Sequence, residues 1–183
     1  ILAGPALPGT EMIVDQVRII DQAAGLSPAA VAKAVSVEKI FVNTIASAPT
    51  RQAAPAALRR AVQGGKLPPS VLRGGLAAAG TGEYYSLLRF DAAPYLRQLR
   101  CPVLALNGSK DTEVPAAENI PALRKALAHD PQATVVELPG LNHLFQPAKT
   151  GMLNEYATIP ITFAPAALAR VERWLAGVVG SKP

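Results

Sequence analysis

Two short, continuous apolar runs constrain the fold more than any other feature: "PVLALNG" at residues 102–108 and "ATVVEL" at residues 133–138. Each is bounded by turn residues and neither alternates with polar ones, which is the pattern of strands buried on both faces in a parallel sheet. The segment between them, "PAAENIPALRKALAHD", reads as a helix. "PAALARVERWLAGVV" reads as a closing helix with Leu168, Val171, Leu175 and Val178 on one side. A strand joined to a parallel neighbour through a helix makes a right-handed crossover and covers the sheet with helices, so the fold class is α/β. The opening "ILAG", apolar and stopped by Gly4-Pro5, reads as the end of a further strand. The expectation is a remnant parallel sheet of about three strands.

Between that opening and the first run lies a helical block. Thr10 is placed as an N-cap before Ile13, Val17 and Ile20, and Gly25 is placed to end that helix. Ser27 and Pro28 read as N-cap and first helical residue of a second helix, whose apolar stripe of Val31, Val35, Phe41 and Ile45 runs until Pro49. Ala-rich helical pieces follow at about residues 53–63 and 69–79. At 183 residues the chain is expected to be one domain, with a helical block at 10–80 and a strand-bearing core at 81–183. Since "ILAG" reads as mid-strand, the domain is expected to be incomplete at its start.

Composition narrows the function. Half the residues are apolar and 17% are charged, which suits a folded chain rather than a disordered one. The net charge is +5, yet the cations are scattered and aromatics make up only 5%, so neither a basic stripe nor a base-stacking platform exists and nucleic acid is not an expected partner. No stretch approaches the roughly 20 apolar residues that span a bilayer, so no membrane partner is expected. Cys101 is the single cysteine, which excludes an intrachain disulfide and reads as a small buried hydrophobe. Only two histidines occur, His129 and His143, without metal-ligand spacing; no metal or other cofactor is expected, and a metal-dependent hydrolase is disfavoured. The opening residues carry no targeting pattern, and the compartment is not legible.

Chemistry in open parallel sheets gathers beyond the carboxyl ends of the strands. Two loops qualify. "NGSKDTEVP" carries Asp111 four residues after Asn107, and "PGLNHLFQ" carries His143 five residues after Leu138. One crossover would make the two strands neighbours and bring both loops to one edge. A carboxylate there would hold an imidazole whose far nitrogen takes a proton from a nucleophile. The alternative reading is that Asp111 caps its turn and His143 is a hydrogen-bonded loop residue.

The phrases "YYSLLRFDAAPYLRQLR", "CPVLALNGSKDTEVP", "LPGLNHLFQPAKTG" and "EYATIPITFAPAALARVERWL" resemble the C-terminal half of α/β-hydrolases. They are similar in particular to serine hydrolases of the prolyl-oligopeptidase-like and acyl-ester-cleaving group. The resemblance covers about residues 81–175, and it implies Asp111 as the triad acid and His143 as the triad base. It also places the helical block where the family inserts a lid, and Asn142, Glu155 and Tyr156 at motif positions read here as supporting structure.

The family's nucleophile sits in Gly-x-Ser-x-Gly, ahead of the acid and base. This chain has no such motif. "GLSPA" at residues 25–29 comes closest, but Pro28 has no N–H to give an oxyanion hole, and Ser27 reads as a helix cap. Ser36, Ser47, Ser70, Ser86 and Ser109 lack the spacing. The chain therefore reads as the C-terminal portion of a serine hydrolase acting on an ester, thioester or amide, inactive alone. Its expected partners are a small-molecule or peptide acyl substrate, and a missing N-terminal half or second copy covering the sheet edge. A non-catalytic α/β module used for protein association is the alternative.

Overall fold

The computed structural model describes residues 1–180, and it divides into two compact units: Ile1–Leu7 with the chain from Ala92 onward, and Pro8–Asp91. The division departs from the expected boundaries at 10 and 80, because the helix after Gly82 joins the helical unit. That unit contains α1 (Gly9–Ala23), α2 (Pro28–Ala46), α3 (Ala54–Gln63), α4 (Leu72–Gly80) and α5 (Gly82–Arg89). Val42, Ile45, Ala54, Leu58, Ala79 and Leu88 form its core.

Local signals account for most of these helices. Ser27 Oγ accepts the Ala30 amide at 3.3 Å with Pro28 in the first turn, as its sequence position predicts. Gly25, at φ 77, closes α1: its own amide reaches Gln22 O and the Leu26 amide reaches Asp21 O, a Schellman arrangement. The start of α1 differs from expectation, since Pro8 rather than Thr10 is the N-cap. Proline's fixed φ suits the entry and brings the helix in two residues early. The helix expected at 69–79 opens as a single 3-10 turn and breaks at Arg73–Gly74.

The other unit is built on β1 (Leu104–Gly108) and β2 (Thr134–Leu138), paired in parallel with Leu104 opposite Thr134 and Gly108 opposite Leu138. They are joined through α7 (Ala116–Ala126). Short helices α6 (Ala93–Leu96) and α8 (Leu153–Tyr156) and the closing α9 (Pro165–Gly180) complete it. Period-two alternation puts Val103, Ala105 and Val135 with Leu123, Ala126 and Leu127 on one side. Leu104, Leu106 and Val136 lie with Phe145, Ala167 and Trp174 on the other. The unit is mixed α/β, with helices packed against a small parallel sheet.

Three expectations are corrected here. The sheet has two strands, not three, and "ILAG" contributes only a single parallel bridge from Leu2 to Ala105. Leu2 exchanges main-chain bonds with Leu104 O and Leu106 N, but Gly4 O and the Ala6 amide are taken by the side chain of Asn119, and Pro5 has no donor, so the ladder stops. Cys101 is exposed rather than buried, because it precedes Pro102 outside the strand. On α9 the inward stripe is Ala167, Val171 and Trp174; Leu168 and Leu175 face outward.

Candidate active site

Asp111 and His143 come together as their loop positions predict. His143 Nδ1 lies 3.0 Å from Asp111 Oδ2. The approach depends on Gly108, the last residue of β1: a Cβ there would sit 2.2 Å from Leu141 O and 2.6 Å from Asn142 O. Only a bare α-carbon lets the histidine loop lie across the strand end. The loops are then stitched together, Ser109 N to Leu138 O and Lys110 N to Leu141 O at 2.9 Å each, and Gly140 N to Ser109 Oγ at 2.8 Å.

The carboxylate of Asp111 is buried and fully engaged. Oδ1 accepts the amides of Glu113 and Val114 at 2.9 and 2.8 Å, closing the turn that leads to α7. Oδ2 receives His143 and, at 3.1 Å, Asn107 Nδ2. One oxygen therefore serves the turn while the other faces the imidazole, and the two readings of Asp111 coexist in one side chain.

His143 is held by its own loop. Asn142, fully buried, accepts the amides of Leu144 and Gln146 on Oδ1 at 3.0 and 2.9 Å, and donates to Gln146 Oε1 at 3.0 Å. Gln146 in turn donates to Ile161 O. Phe145 takes φ 55, the left-handed region that a bulky residue occupies at a cost of about 1–3 kcal/mol. The turn is held by Phe145 N to Asn142 O, Ala164 N to Phe145 O, and the ring of Phe163 at 5.3 Å. Asn142 is thus a brace, as its sequence position suggested. Glu155 is another: its carboxylate accepts the amides of Thr150 and Gly151.

Electrostatically, His143 is raised above an ordinary histidine. The Asp111 hydrogen bond is the main cause, partial burial opposes it, and the negative charges of Asp111 and Glu113 add to it. Since Asp111 only accepts, the proton it binds is on Nδ1, and Nε2 is left as the free basic nitrogen. The nearby Tyr156 phenol is pushed up, first by burial and then by Asp111 and Glu113; the His143 backbone opposes the shift, though the buried hydroxyl makes no full hydrogen bond.

A small recess beside the pair is walled by Ala3, Gly4, Leu106, Val114 and Phe145 together with Asn107. No serine, threonine or cysteine lines it among the described residues. Ser109 Oγ is occupied by the Gly140 amide, and Ser27 caps α2. His129 is elsewhere, its Nε2 3.2 Å from Leu99 O. Among the described residues no group of three or more His, Cys, Asp or Glu is arranged to hold a metal ion, and no helix is long and apolar enough to cross a membrane.

Sequence reasoning passed over Asn107, Gly108 and Asn119. The available signal was an Asn-Gly inside a run buried on both faces, where a polar side chain must find partners. Comparison with known proteins adds nothing further: no protein family, curated protein or solved structure matches this chain.

Proposed function

We propose that this chain carries the acid and base of a serine hydrolase of the α/β-hydrolase kind, cleaving an ester, thioester or amide by acyl transfer. The nucleophilic serine comes from outside these 183 residues, from an N-terminal half, and the chain alone does not turn over substrate. The 3.0 Å contact between His143 Nδ1 and Asp111 Oδ2 carries the reading. His143 Nε2 takes the serine proton as the oxygen attacks the carbonyl, then returns that proton to the departing group. Water repeats the cycle to free the acid. Asp111 orients the ring and stabilises the imidazolium in both halves.

A fluorophosphonate probe tests this. The chain alone is expected to remain unlabelled by mass. A version extended upstream to include a Gly-x-Ser-x-Gly element is expected to label at that serine and to lose labelling in His143→Ala. Labelling of any serine within residues 1–183, or unchanged labelling in His143→Ala, rejects the proposal. The association module remains the second reading because Asp111 Oδ1 would be needed for its turn with no catalysis at all. Under that reading the extended protein stays unlabelled while Asp111→Asn still lowers stability.

A further inference from the structure

A chain of buried amides runs to the carboxylate that holds His143. It begins at the Ala6 amide, which can only donate, and which gives its proton to Asn119 Oδ1 at 2.7 Å. That contact fixes the orientation of the Asn119 amide, since its oxygen must face Ala6 and its nitrogen must face the other way. Asn119 Nδ2 duly meets two acceptors, Gly4 O at 3.2 Å and Asn107 Oδ1 at 2.7 Å. The Asn107 amide is then fixed in its turn. Its nitrogen donates to Val114 O at 3.0 Å and to Asp111 Oδ2 at 3.1 Å. Asn107 and Asn119 are 2% and 0% exposed, so no solvent competes for these groups and either amide could reverse only by facing donor to donor.

We propose that Asn107 is a positioning residue for the Asp111–His143 pair, and that Asn119 sets its orientation from the far end of a two-amide relay. The backbone of residues 4–6 thereby dictates which face Asp111 presents to His143. Oδ1 alone, held by two amides of the turn, fixes one oxygen and leaves the carboxylate plane a pivot. The Asn107 donor at Oδ2 removes that freedom, so the remaining lone pair points at Nδ1. The three other groups bonded to the carboxylate, the Glu113 and Val114 amides and Asn107 Nδ2, are donors, so Asp111 is held as an acceptor and the proton shared with His143 is placed on Nδ1. The proposal extends the hydrolase reading, but it concerns the state of one ring and can be tested without turnover.

The ring nitrogens of His143 in the full chain report it, by long-range proton–nitrogen NMR with a pH titration. Asp111 and Glu113 are the charged groups acting on the ring and Tyr156 lies against the His143 backbone, and all three are unchanged in the variants. The wild type is expected to show the Nδ1–H form, a downfield Nδ1 proton, and a midpoint above that of free histidine. In Asn107→Leu the downfield proton is expected to be lost, with the midpoint falling toward the free value. Asn119→Leu is expected to do the same, although Asn119 does not touch Asp111. Asn107→Ala removes the same donor without adding bulk and serves if the leucine variant misfolds. A folded Asn107 variant that keeps the wild-type proton and midpoint overturns the positioning role, and an Asn119 variant that does so overturns the relay. If neither Asn107 variant folds, Asn107 serves stability alone and the proposal also fails. A wild-type ring that is Nε2–H would instead sink the hydrolase reading itself, whatever the variants do.

Discussion

At the scale of single residues, the site rests on exclusions as much as on contacts. Gly108 is the clearest case. Gly108→Ala is expected to push the His143 loop off the strand end and to cost about 1–3 kcal/mol or more, as overpacked sites do. Denaturant unfolding measures the cost, and the loss of the His143 downfield proton shows where it falls; an unperturbed proton would count against the packing argument. The pair also imposes a pH dependence. Because His143 is raised in the folded state, that state binds the proton more tightly, so the contribution is complete below the unfolded histidine's pH of about 6.5 and is lost as pH rises through the folded value. The side chain is 37% exposed, so the effect is modest. The stability advantage of the wild type over His143→Gln should therefore shrink from about pH 5 to pH 9. A difference that does not vary with pH would reject it. That Asp111 and His143 would meet was legible in the sequence because both follow strands joined by a single crossover, which brings their loops to one edge. The role of Gly108 was not, since an Asn-Gly read along the chain signals a turn, and only the opposing backbone of Leu141 and Asn142 makes it a contact.

At the scale of elements, legibility followed how local the cause is. The cap and first turn of α2 came straight from Ser27-Pro28, and both strands came from apolar runs whose side chains divide between the sheet's two faces. The inward face of α9 was misread because Leu168 and Leu175 are more apolar than Ala167, yet small Ala167 is what fits against the sheet. Residue volume at an interface is set by the partner surface, which one helix does not contain. The same element-level logic yields a prediction in α2. Glu38 is raised by burial, so the folded state favours its neutral form, and the neighbouring Tyr84 phenol is pushed up to about 12, chiefly by burial and then by Glu38. A carboxyl raised on folding supports stability fully below its unfolded value and loses that support as pH climbs through the folded one. Glu38→Gln, which stays neutral, is expected to raise the melting temperature at neutral pH and to show no gain below about pH 4, where both side chains are uncharged. Equal gains at both pH values would mean that the charge of Glu38 is not the cause.

At the scale of the whole molecule, the notable feature is that residues 1–7 belong to a unit whose remaining sequence resumes only at Ala92. A contact order of that kind hides from sequence reading, because nothing in "ILAGPAL" names Asn119 as its partner. It also makes a strong demand on stability. The segment supplies two main-chain bonds to β1, through Leu2, and two to the Asn119 amide, through Gly4 and Ala6. Deleting residues 1–7 would leave Asn119 Oδ1 without its donor, and one buried polar group stranded in this way costs about 1–3 kcal/mol. Each ordinary bond lost adds about 1 kcal/mol, so the truncated chain is expected to lose a few kcal/mol while β1 and β2 still pair. Hydrogen exchange locates the damage. The Leu106 amide, which donates to Leu2 O, should lose protection, whereas the Thr134 amide, bonded to Val103 O, should keep more of it. The His143 proton should weaken in parallel, since the same deletion frees Asn119 and with it the orientation of Asn107. Full protection at Leu106 after the truncation would mean that the single Leu2 bridge contributes nothing to the sheet. Loss at Leu106 with an unchanged His143 would confine the segment to the strand edge and detach it from the site.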